Sequence, residues 1–287
     1  MATEIGVIGG SGLYDLGEIE DARDVKVETP FGPVTLVTGI FAGREVSFVS
    51  RHGRGHRVGP ARIPVRESIY ALKHVGVRQV ISISAVGSLR AGMAPGHLVV
   101  PDQIVDWTRG ARPPSFFDDG LVVHVSMADP YCPDLRSALI TAARGTVDRT
   151  VHDGGSYICI EGPQFSTRAE SQIYRALGMD IIGMTAMPEA RLAREAELCY
   201  ACLALVTDYD CWHNEDEPVS ADLVTARMAE NVSAAKQVLA NLVQILPDTY
   251  GCSCGEALAT ALITDRATVP GVIRDRLNLL VGKYFSH

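Results

Sequence analysis

An apolar segment that ends in two acidic residues constrains the fold of this chain more than any other feature. Residues 198–212 read LCYACLALVTDYDCW, and the apolar run is uninterrupted over residues 203–206. A strand has such a sequence when both of its faces are covered, as in a parallel sheet packed between helices. The sequence therefore predicts a central strand of an α/β fold.

The two aspartates that end this segment, Asp208 and Asp210, are the first candidates for chemistry. Side chains alternate along a strand, so both project to the same side if the extended geometry persists to Asp210. Open α/β sheets bind ligands at the carboxyl ends of their strands. Two carboxylates in a poorly solvated pocket cannot both ionise cheaply, so we expect one of them to keep its proton near neutral pH. The alternative is an exposed turn in which the carboxylates cap local backbone groups.

Composition narrows the class of partner. The 287 residues include 34 acidic and 26 basic side chains, and the net charge of -8 argues against a nucleic-acid or anionic-membrane surface. Any bound phosphate must then be held by local groups. No stretch approaches the roughly 20 apolar residues of a membrane span, and residues 1–4 lack the basic start of a secretory signal, so we expect a cytoplasmic protein.

The seven cysteines show no regular spacing, which is unlike a secreted disulfide framework. Cys252 and Cys254 form the one close pair, and they could be a redox-responsive disulfide, half of a metal site or two free thiols. No neighbouring His or Cys completes tetrahedral spacing in the sequence, so the metal site is the weakest of these hypotheses. We expect no metal.

Several predicted strands end in small, hydroxylic or basic residues. The strand at residues 4–8 runs into Gly9-Gly10-Ser11-Gly12, which matches neither the dinucleotide fingerprint nor a P-loop, although its backbone could point N–H groups at an anion. The strand at residues 45–49 ends in RHGRGHR at residues 51–57, and this basic loop suits an oxyanion, with a solvated loop as the alternative. A buried strand at residues 79–84 ends in AVGS.

Three further residues are ambiguous from the sequence alone. Phe165 follows a predicted strand and could be core or a flat platform for a base. His124 in an apolar run is more often structural than functional, and Met184 is a soft core filler in most proteins. Helical spacing from Ser220 predicts a long terminal helix, followed by a second helix in the tail from Gly255. No repeat or linker interrupts the chain, which predicts one domain.

Taken together, eight segments resemble the trimeric purine nucleoside phosphorylase and methylthioadenosine phosphorylase family. The resemblance covers about four-fifths of the chain, and the Asp-x-Asp after Thr207 is similar to the methylthioadenosine branch. The segments are IGVIGGSGL from Ile5, TPFG from Thr29, RHGRGH from Arg51, SAVGSL from Ser84, MADPYCP from Met127, IEGPQFSTRAES from Ile160, MTAMPEA from Met184 and VTDYDCW from Val206.

The resemblance implies a fold, a reaction and an assembly. We expect a single nucleoside phosphorylase-like α/β domain over residues 1–287, with a central mixed, largely parallel sheet flanked by helices and a helical tail, residues 220–287, over the active site. The implied reaction is phosphorolysis of 5'-methylthioadenosine to adenine and 5-methylthioribose 1-phosphate. Inorganic phosphate is a co-substrate, no cofactor is expected, and the implied assembly is a homotrimer or a dimer of trimers.

The same resemblance assigns the anion site. The residues that match phosphate-binding positions are Ser11, Arg51, His52, Ser84, Ala85 and Thr185. The methylthioadenosine branch often has Thr where this chain has Ser11 and Ser84, which should soften phosphate affinity at most.

The nucleoside positions carry over in the same way. They are Ala85, His124, Phe165, Met184, Thr207, Asp208, Asp210 and Leu279, with His124 supplied by a neighbouring subunit near the 5' group. Asp208 is the expected catalytic acid at purine N7, because the departing base gains negative charge and needs a proton. A carboxylate that accepts from the 6-amino group also favours adenine over 6-oxopurines.

Two other functions stay open at this point. One is a purine nucleoside phosphorylase or methylthioinosine phosphorylase of broader or 6-oxopurine specificity. The other is a non-catalytic nucleotide-binding module in which the glycine turn grips a ligand phosphate.

Overall fold

A mixed sheet of eleven strands lies at the centre of the part of the chain that the structure describes, which is residues 4–10, 19–117, 119–213, 221–247 and 251–285 of a computed structural model. The strands are β1 (Ile5–Gly9), β2 (Glu20–Thr29), β3 (Gly32–Phe41), β4 (Arg44–Ser50), β5 (Gln79–Ser88), β6 (Leu98–Val100), β7 (Gln103–Trp107), β8 (Val151–Asp153), β9 (Ser156–Ile160), β10 (Ile181–Gly183) and β11 (Cys199–Asp208). The helices are α1 (Val65–His74), α2 (Pro133–Thr146), α3 (Arg168–Ala176), α4 (Ala186–Glu195), α5 (Ala221–Ile245), α6 (Gly271–Arg276) and α7 (Asn278–Val281).

The predicted mixed, largely parallel sheet is confirmed. The main path of the sheet runs β2-β3-β4-β1-β5-β10-β9-β7, while β11 pairs with β5 and β6, and β6 with β8. Strands β1, β4, β5 and β11 are parallel neighbours, as are β7, β9 and β10, and β6 with β8. The antiparallel pairs are β2 with β3, β3 with β4, β5 with β10, and β6 with β11.

Strand β11 is the buried central strand that its apolar run predicts, because all ten of its residues are buried. Tyr200 and Cys202 pack into the core on the face covered by α1 and α4. Ala201 and Leu203 pack into the second core, on the face covered by α2 and α5. The alternation of side chains along one strand thus supplies both hydrophobic layers.

The sequence spacing Thr167-x-x-Glu170 is typical of a capping box, and helix α3 begins with one, in which Thr167 and Glu170 exchange hydrogen bonds. Strand β7 extends through Trp107, so the Pro-containing loop that follows it begins at Thr108. Ser220, the predicted cap of α5, lies outside the described residues. None of the helices described is long and apolar enough to cross a membrane.

Strand β5 changes neighbours halfway along its length, and this opens a crevice. Its first half pairs with β1 up to Ser82, whereas its end pairs with β10 from Gly87. The edge between these two positions has no strand beside it on that side among the described residues. Ligands in open α/β sheets bind at such topological switch points, so Ser84 and Ala85 lie where a site is expected.

Candidate active site

Three hydroxyl groups meet at the unpaired edge of β5. The Ser84 hydroxyl lies 3.1 Å from the Thr185 hydroxyl and 3.1 Å from the Tyr157 hydroxyl. Ser84 and Thr185 are buried, and Thr185 is the residue before α4. The family resemblance implied that Ser84 and Thr185 bind one anion, and the fold brings them together from positions 101 residues apart. Tyr157 was missed, since a Tyr inside an apolar strand looks like core.

Arg51 is buried beneath this edge and is paired with Glu189 of α4. Its Nε and Nη2 donate to the two carboxylate oxygens of Glu189 at 2.5 and 3.1 Å. Nη2 also donates to the Ser82 hydroxyl, and Nη1 donates to the Ile83 carbonyl at 3.0 Å. Burial alone would lower the pKa of Arg51, but the Glu189 carboxylate outweighs it and raises the pKa, so the guanidinium stays charged. One Nη1 hydrogen keeps no acceptor among the described residues.

Glu189 is a second residue near the anion site that sequence reasoning missed. The motif MTAMPEA was quoted for the resemblance, yet its glutamate received no role. Glu189 accepts from Arg51, from the Ser82 hydroxyl at 2.9 Å and from the Tyr200 hydroxyl at 3.0 Å. The signal available was an acidic residue directly after the apolar segment MTAMP, since a buried carboxylate requires a cation such as Arg51 as partner.

His52 differs from the charged group expected in a basic loop. Its Nδ1 donates to the Val58 carbonyl at 2.7 Å, so Nε2 of the neutral ring is an acceptor. Burial lowers the pKa of His52, the hydrogen bond to Val58 opposes this, and the charges of Arg51 and His56, whose ring stacks on it at 4.1 Å, lower the pKa further; together they bring it to about 4. His52 is therefore uncharged near neutral pH, and only a protonated phosphate oxygen could donate to it.

The glycine turn after β1 approaches the same guanidinium. A Cβ atom at Gly10 would lie 3.5 Å from Nη1 of Arg51. Ser11, predicted to bind phosphate, lies outside the described residues, so its placement stays a prediction.

The acidic pair at the end of β11 departs from the geometry expected for a continued strand. Asp210 has a φ of 50°, in the left-handed region, so the extended geometry ends at Asp208. The Asp210 N–H donates to Oδ1 of Asp208 at 2.8 Å, which closes a local turn. The pair was interpreted either as a buried site or as an exposed turn capped by carboxylates, and each interpretation holds in part. The Asp208 carboxylate caps a turn, but the turn is buried, with Asp208 8% and Asp210 7% exposed.

Burial raises the pKa of both aspartates. For Asp208 the charge of Asp210 raises it further, while the Thr207 hydroxyl, 2.6 Å from Oδ2, opposes the shift. For Asp210 the nearby hydroxyls of Ser171 and Ser166 lower the pKa and so oppose the effect of burial. Neither hydroxyl makes a hydrogen bond of ordinary geometry within the described residues. A protonated carboxyl is thus favoured here relative to a solvated aspartate.

Thr207 can serve both protonation states of Asp208. Its hydroxyl lies 2.6 Å from Oδ2 of Asp208 and 3.2 Å from the Val86 carbonyl. When Asp208 is ionised, the hydroxyl donates to it. When Asp208 is protonated, the hydroxyl can donate to Val86 and accept from the acid. A bulge between Val206 and Asp208 opposite β5 sets this arrangement.

The anion-binding candidates and the acidic pair lie along one strand. Arg51 contacts Ile83 of β5, and a Cβ atom at Gly87 would lie 2.9 Å from Oδ1 of Asp208. Four residues of strand span about 13 Å, the scale of a nucleoside with a phosphate against its ribose. Ser84 and Ala85 lie between the two ends.

A cavity of about 300 Å³ is lined in part by Phe165, Ser166, Glu161 and Tyr174, and neither aspartate lines it; Ser166 links it to the residue after Asp210, because its carbonyl accepts from the Cys211 thiol at 3.2 Å. It does not extend to Ser84 or Arg51. Phe165 is 41% exposed, so it is available as a platform instead of being core. Met184 is half-buried, packs on the cluster of Leu89 and Ile160, and closes against Gly162.

Arg112 fixes the two loops that carry Phe165 and Met184. It donates to the Met184 and Met187 carbonyls at 2.7 and 2.6 Å, and its Nε donates to Glu161 at 2.8 Å. Its planar fork thus holds carbonyl groups of both loops.

His124 contacts the C-terminal segment, and Leu279 packs against the core. His124 is exposed, and its N–H donates to the Ala261 carbonyl at 2.8 Å in an extended contact with the C-terminal segment. Leu279 in α7 is half-buried against the core. Their roles at the 5' group stay predictions, as does the covering of the site by residues 220–287.

A second cluster was not expected from the sequence. The Sγ atoms of four cysteines, Cys132, Cys199, Cys252 and Cys254, all lie within 4.8 Å of one another. Cys252 and Cys254 have no His or Cys neighbour in sequence that completes tetrahedral spacing, but the fold brings Cys132 and Cys199 beside them from distant segments.

Comparison with known proteins agrees with this geometry. Residues 4–244 match the family model described as the phosphorylase superfamily. The S-methyl-5'-thioadenosine phosphorylase of Geobacter sulfurreducens is 49% identical over 286 residues, which is 99% of this chain and 100% of that protein. A methylthioadenosine phosphorylase crystal structure from an antarctic soil metagenomic library is 46% identical, with a TM-score of 0.92 over 97% of this chain and 99% of the other.

A more distant structure is that of a variant of the adenosine/methylthioadenosine phosphorylase of Schistosoma mansoni in complex with methylthioadenosine. It is 35% identical, and the TM-score is 0.82 over 90% of this chain and 96% of the other. Sequence and fold thus agree along nearly the whole length, and the chain belongs to the phosphorylase superfamily.

Proposed function

We propose that this protein catalyses the phosphorolysis of 5'-methylthioadenosine to adenine and 5-methylthioribose 1-phosphate. The observation that carries the proposal is the arrangement along β5, with a hydroxyl and guanidinium cluster at one end and a buried acidic pair about 13 Å away. Two of the relatives given above, which are 46 and 49% identical over nearly the full length, are named as methylthioadenosine phosphorylases, and this supports the proposal.

The nucleophile end of the site orients phosphate. The hydroxyls of Ser84 and Thr185, the remaining Nη1 hydrogen of Arg51 and the N–H groups after β1 would donate to phosphate oxygens. Glu189 holds the guanidinium in one orientation, so little reorganisation is needed when phosphate binds. Holding the nucleophile below the anomeric carbon replaces a bimolecular encounter with a positioned attack, which can lower the barrier by several kcal/mol.

The leaving-group end supplies a proton. Cleavage of the glycosidic bond leaves positive charge on the ribose, which phosphate stabilises, and negative charge on the purine. Asp208, whose pKa is raised by burial and by Asp210, is the proposed general acid at N7. General acid catalysis of this kind typically contributes about 10²–10⁴-fold. Thr207 accepts or donates as Asp208 changes its protonation state.

The acidic pair also argues for a 6-aminopurine. An ionised carboxylate accepts from the amino group of adenine, whereas the 6-oxo group of hypoxanthine would leave a buried acceptor unpaired at about 1–3 kcal/mol. Phe165 would stack on the base, while Met184 and Ala85 would line the ribose. A phosphorylase of broader or 6-oxopurine specificity is the second candidate, and the S. mansoni enzyme is named for adenosine as well as methylthioadenosine.

A substrate panel tests the proposal. Free base would be measured from methylthioadenosine, adenosine, inosine and methylthioinosine, each with and without inorganic phosphate. We expect adenine from methylthioadenosine only when phosphate is present, with the highest kcat/KM of the four. Binding without phosphate-dependent release of base would refute catalysis, and a preference for inosine would support the second candidate.

Assembly and location stay predictions. A trimer or a dimer of trimers would bring the exposed His124 of one subunit to the site of another, which the position of His124 at the surface permits. A cytoplasmic location and the absence of any cofactor in the reaction are expected on the same grounds as before.

A further inference from the structure

Four cysteine sulfur atoms converge at the edge of the sheet opposite the candidate active site. Cys199 is the first residue of β11, whereas Asp208 is the last. Nine residue steps along a strand separate them by about 30 Å. The cluster therefore belongs to a different part of the molecule, and the proposed reaction leaves it without a role.

The spacing of these atoms suits a tetrahedral metal site. All four Sγ atoms lie within 4.8 Å of one another, and Cys199 and Cys252 are 3.4 Å apart. Four thiolates around zinc at about 2.3 Å would stand about 3.8 Å apart, which lies within this range. A disulfide would need about 2.05 Å between two sulfurs. Three of the four residues are buried, so solvent has little access to the centre.

The surroundings stabilise negative charge on sulfur. Cys132 is the N-cap of the fourteen-residue helix α2, and its Sγ accepts the Leu135 N–H at 3.5 Å. Nη1 of Arg194 lies 3.8 Å from the Sγ of Cys254. A divalent cation with four thiolates carries a net charge of −2, so a helix N-terminus and an arginine are fitting neighbours.

We propose that Cys132, Cys199, Cys252 and Cys254 bind one structural Zn²⁺ ion. The ion joins the start of α2, the start of β11 and the short 3-10 helix Ser253–Glu256, which opens the C-terminal segment 251–285. With four protein ligands it has no open position for substrate, which is the arrangement of a structural site. Its function is to fasten the C-terminal segment to the sheet.

Metal content of the full-length protein tests the site directly. Tag-free protein, purified under reducing conditions without chelator, should contain about one zinc per chain by mass spectrometry of the metal. C252S and C254S should lose most of it. C202A is the matched control, because Cys202 is a buried cysteine of the same strand outside the cluster and should retain full zinc.

A second measurement covers the case in which the serine variants fail to fold. Wild-type protein stripped of metal under reducing conditions and titrated with Co²⁺ should develop the visible bands of tetrahedral cobalt thiolate at one equivalent. Hydrogen exchange should rise over residues 251–285 in the stripped protein and stay unchanged over β5. Purified protein in which the four cysteines of the cluster are free thiols and no metal is bound would overturn the proposal. A mass lower by four hydrogens, which indicates two disulfides, or an unchanged zinc content in C252S would also overturn it.

Discussion

Replacing Glu189 by Gln would test whether the buried Arg51 faces a phosphate site. Both side chains are 1% exposed, and Glu189 accepts from Arg51, Ser82 and Tyr200. Gln keeps the shape but places an amide NH₂ against groups that all donate. Loss of one partner of a buried pair costs about 3–5 kcal/mol. At about 0.6 kcal/mol per kelvin for a chain of this length, E189Q should lower the melting temperature by about 5–8 °C.

Bound phosphate should restore part of the stability that E189Q loses. In the wild type, phosphate at about 100 times its dissociation constant adds about 2.7 kcal/mol of stability. In E189Q the Arg51 charge is no longer neutralised, so an anion beside it should add more. The assay is differential scanning fluorimetry of both proteins across a phosphate series, with chloride at equal ionic strength.

The control for this experiment is E45Q, because Glu45 pairs with the exposed Arg23 and such surface pairs contribute about 0–1 kcal/mol. Its melting temperature and its phosphate response should both stay close to the wild type. Equal phosphate increments in E189Q and wild type would refute the placement of Arg51 at the anion site. An undiminished melting temperature in E189Q would refute the energetic reasoning itself.

Four more outcomes are expected. D208N should lower kcat for adenine release by about 10²–10⁴-fold with little change in phosphate binding, and near-normal turnover would remove Asp208 as the acid. D210N should shift preference toward 6-oxopurine nucleosides and move the alkaline limb of the pH–rate profile to lower pH, because Asp210 raises the pKa of Asp208; an unchanged base ratio and limb would contradict both. G87A should lower kcat and leave the affinity for phosphate unchanged, because the added Cβ would lie 2.9 Å from Oδ1 of Asp208. A wild-type kcat would show that the structure relieves this close contact without moving Asp208. His52 has a folded pKa of about 4 against 6.5 unfolded, so its contribution to stability is present above pH 6.5 and is lost as pH falls toward 4; thermal melts of H52Q should show a smaller loss over that window, and parallel curves would count against it.

The strands could be predicted from the sequence because their signals are local. The run over residues 203–206 is apolar on both faces, and the QVISIS segment of β5 has an apolar residue at every second position from Ile81; both segments are buried in the structure. The capping box of Thr167 and Glu170 is equally local, with both partners within one turn. Such patterns need no knowledge of distant residues.

The departures arise where the outcome depends on groups far apart in the chain. The partner of Arg51 is 138 residues away, and the four cysteines come from segments as distant as residues 132 and 254. Asp210 is not extended, and its N–H donates to the carboxylate of Asp208. The strand register shifts at this point, where Asp208 pairs with Gly87. The uncharged state of His52 likewise depends mainly on burial, which lowers its pKa and which no motif encodes.

The proposed phosphate site carries little net positive charge. The loop RHGRGHR suggests a strongly cationic cradle, but the charge of Arg51 is neutralised by Glu189 and His52 is uncharged near neutral pH. Phosphate would then be held by hydroxyls, backbone N–H groups and one guanidinium hydrogen instead of by net charge. Weak ground-state binding suits a nucleophile, because interactions that tighten only as charge develops on the ribose raise kcat, whereas uniform binding of phosphate does not.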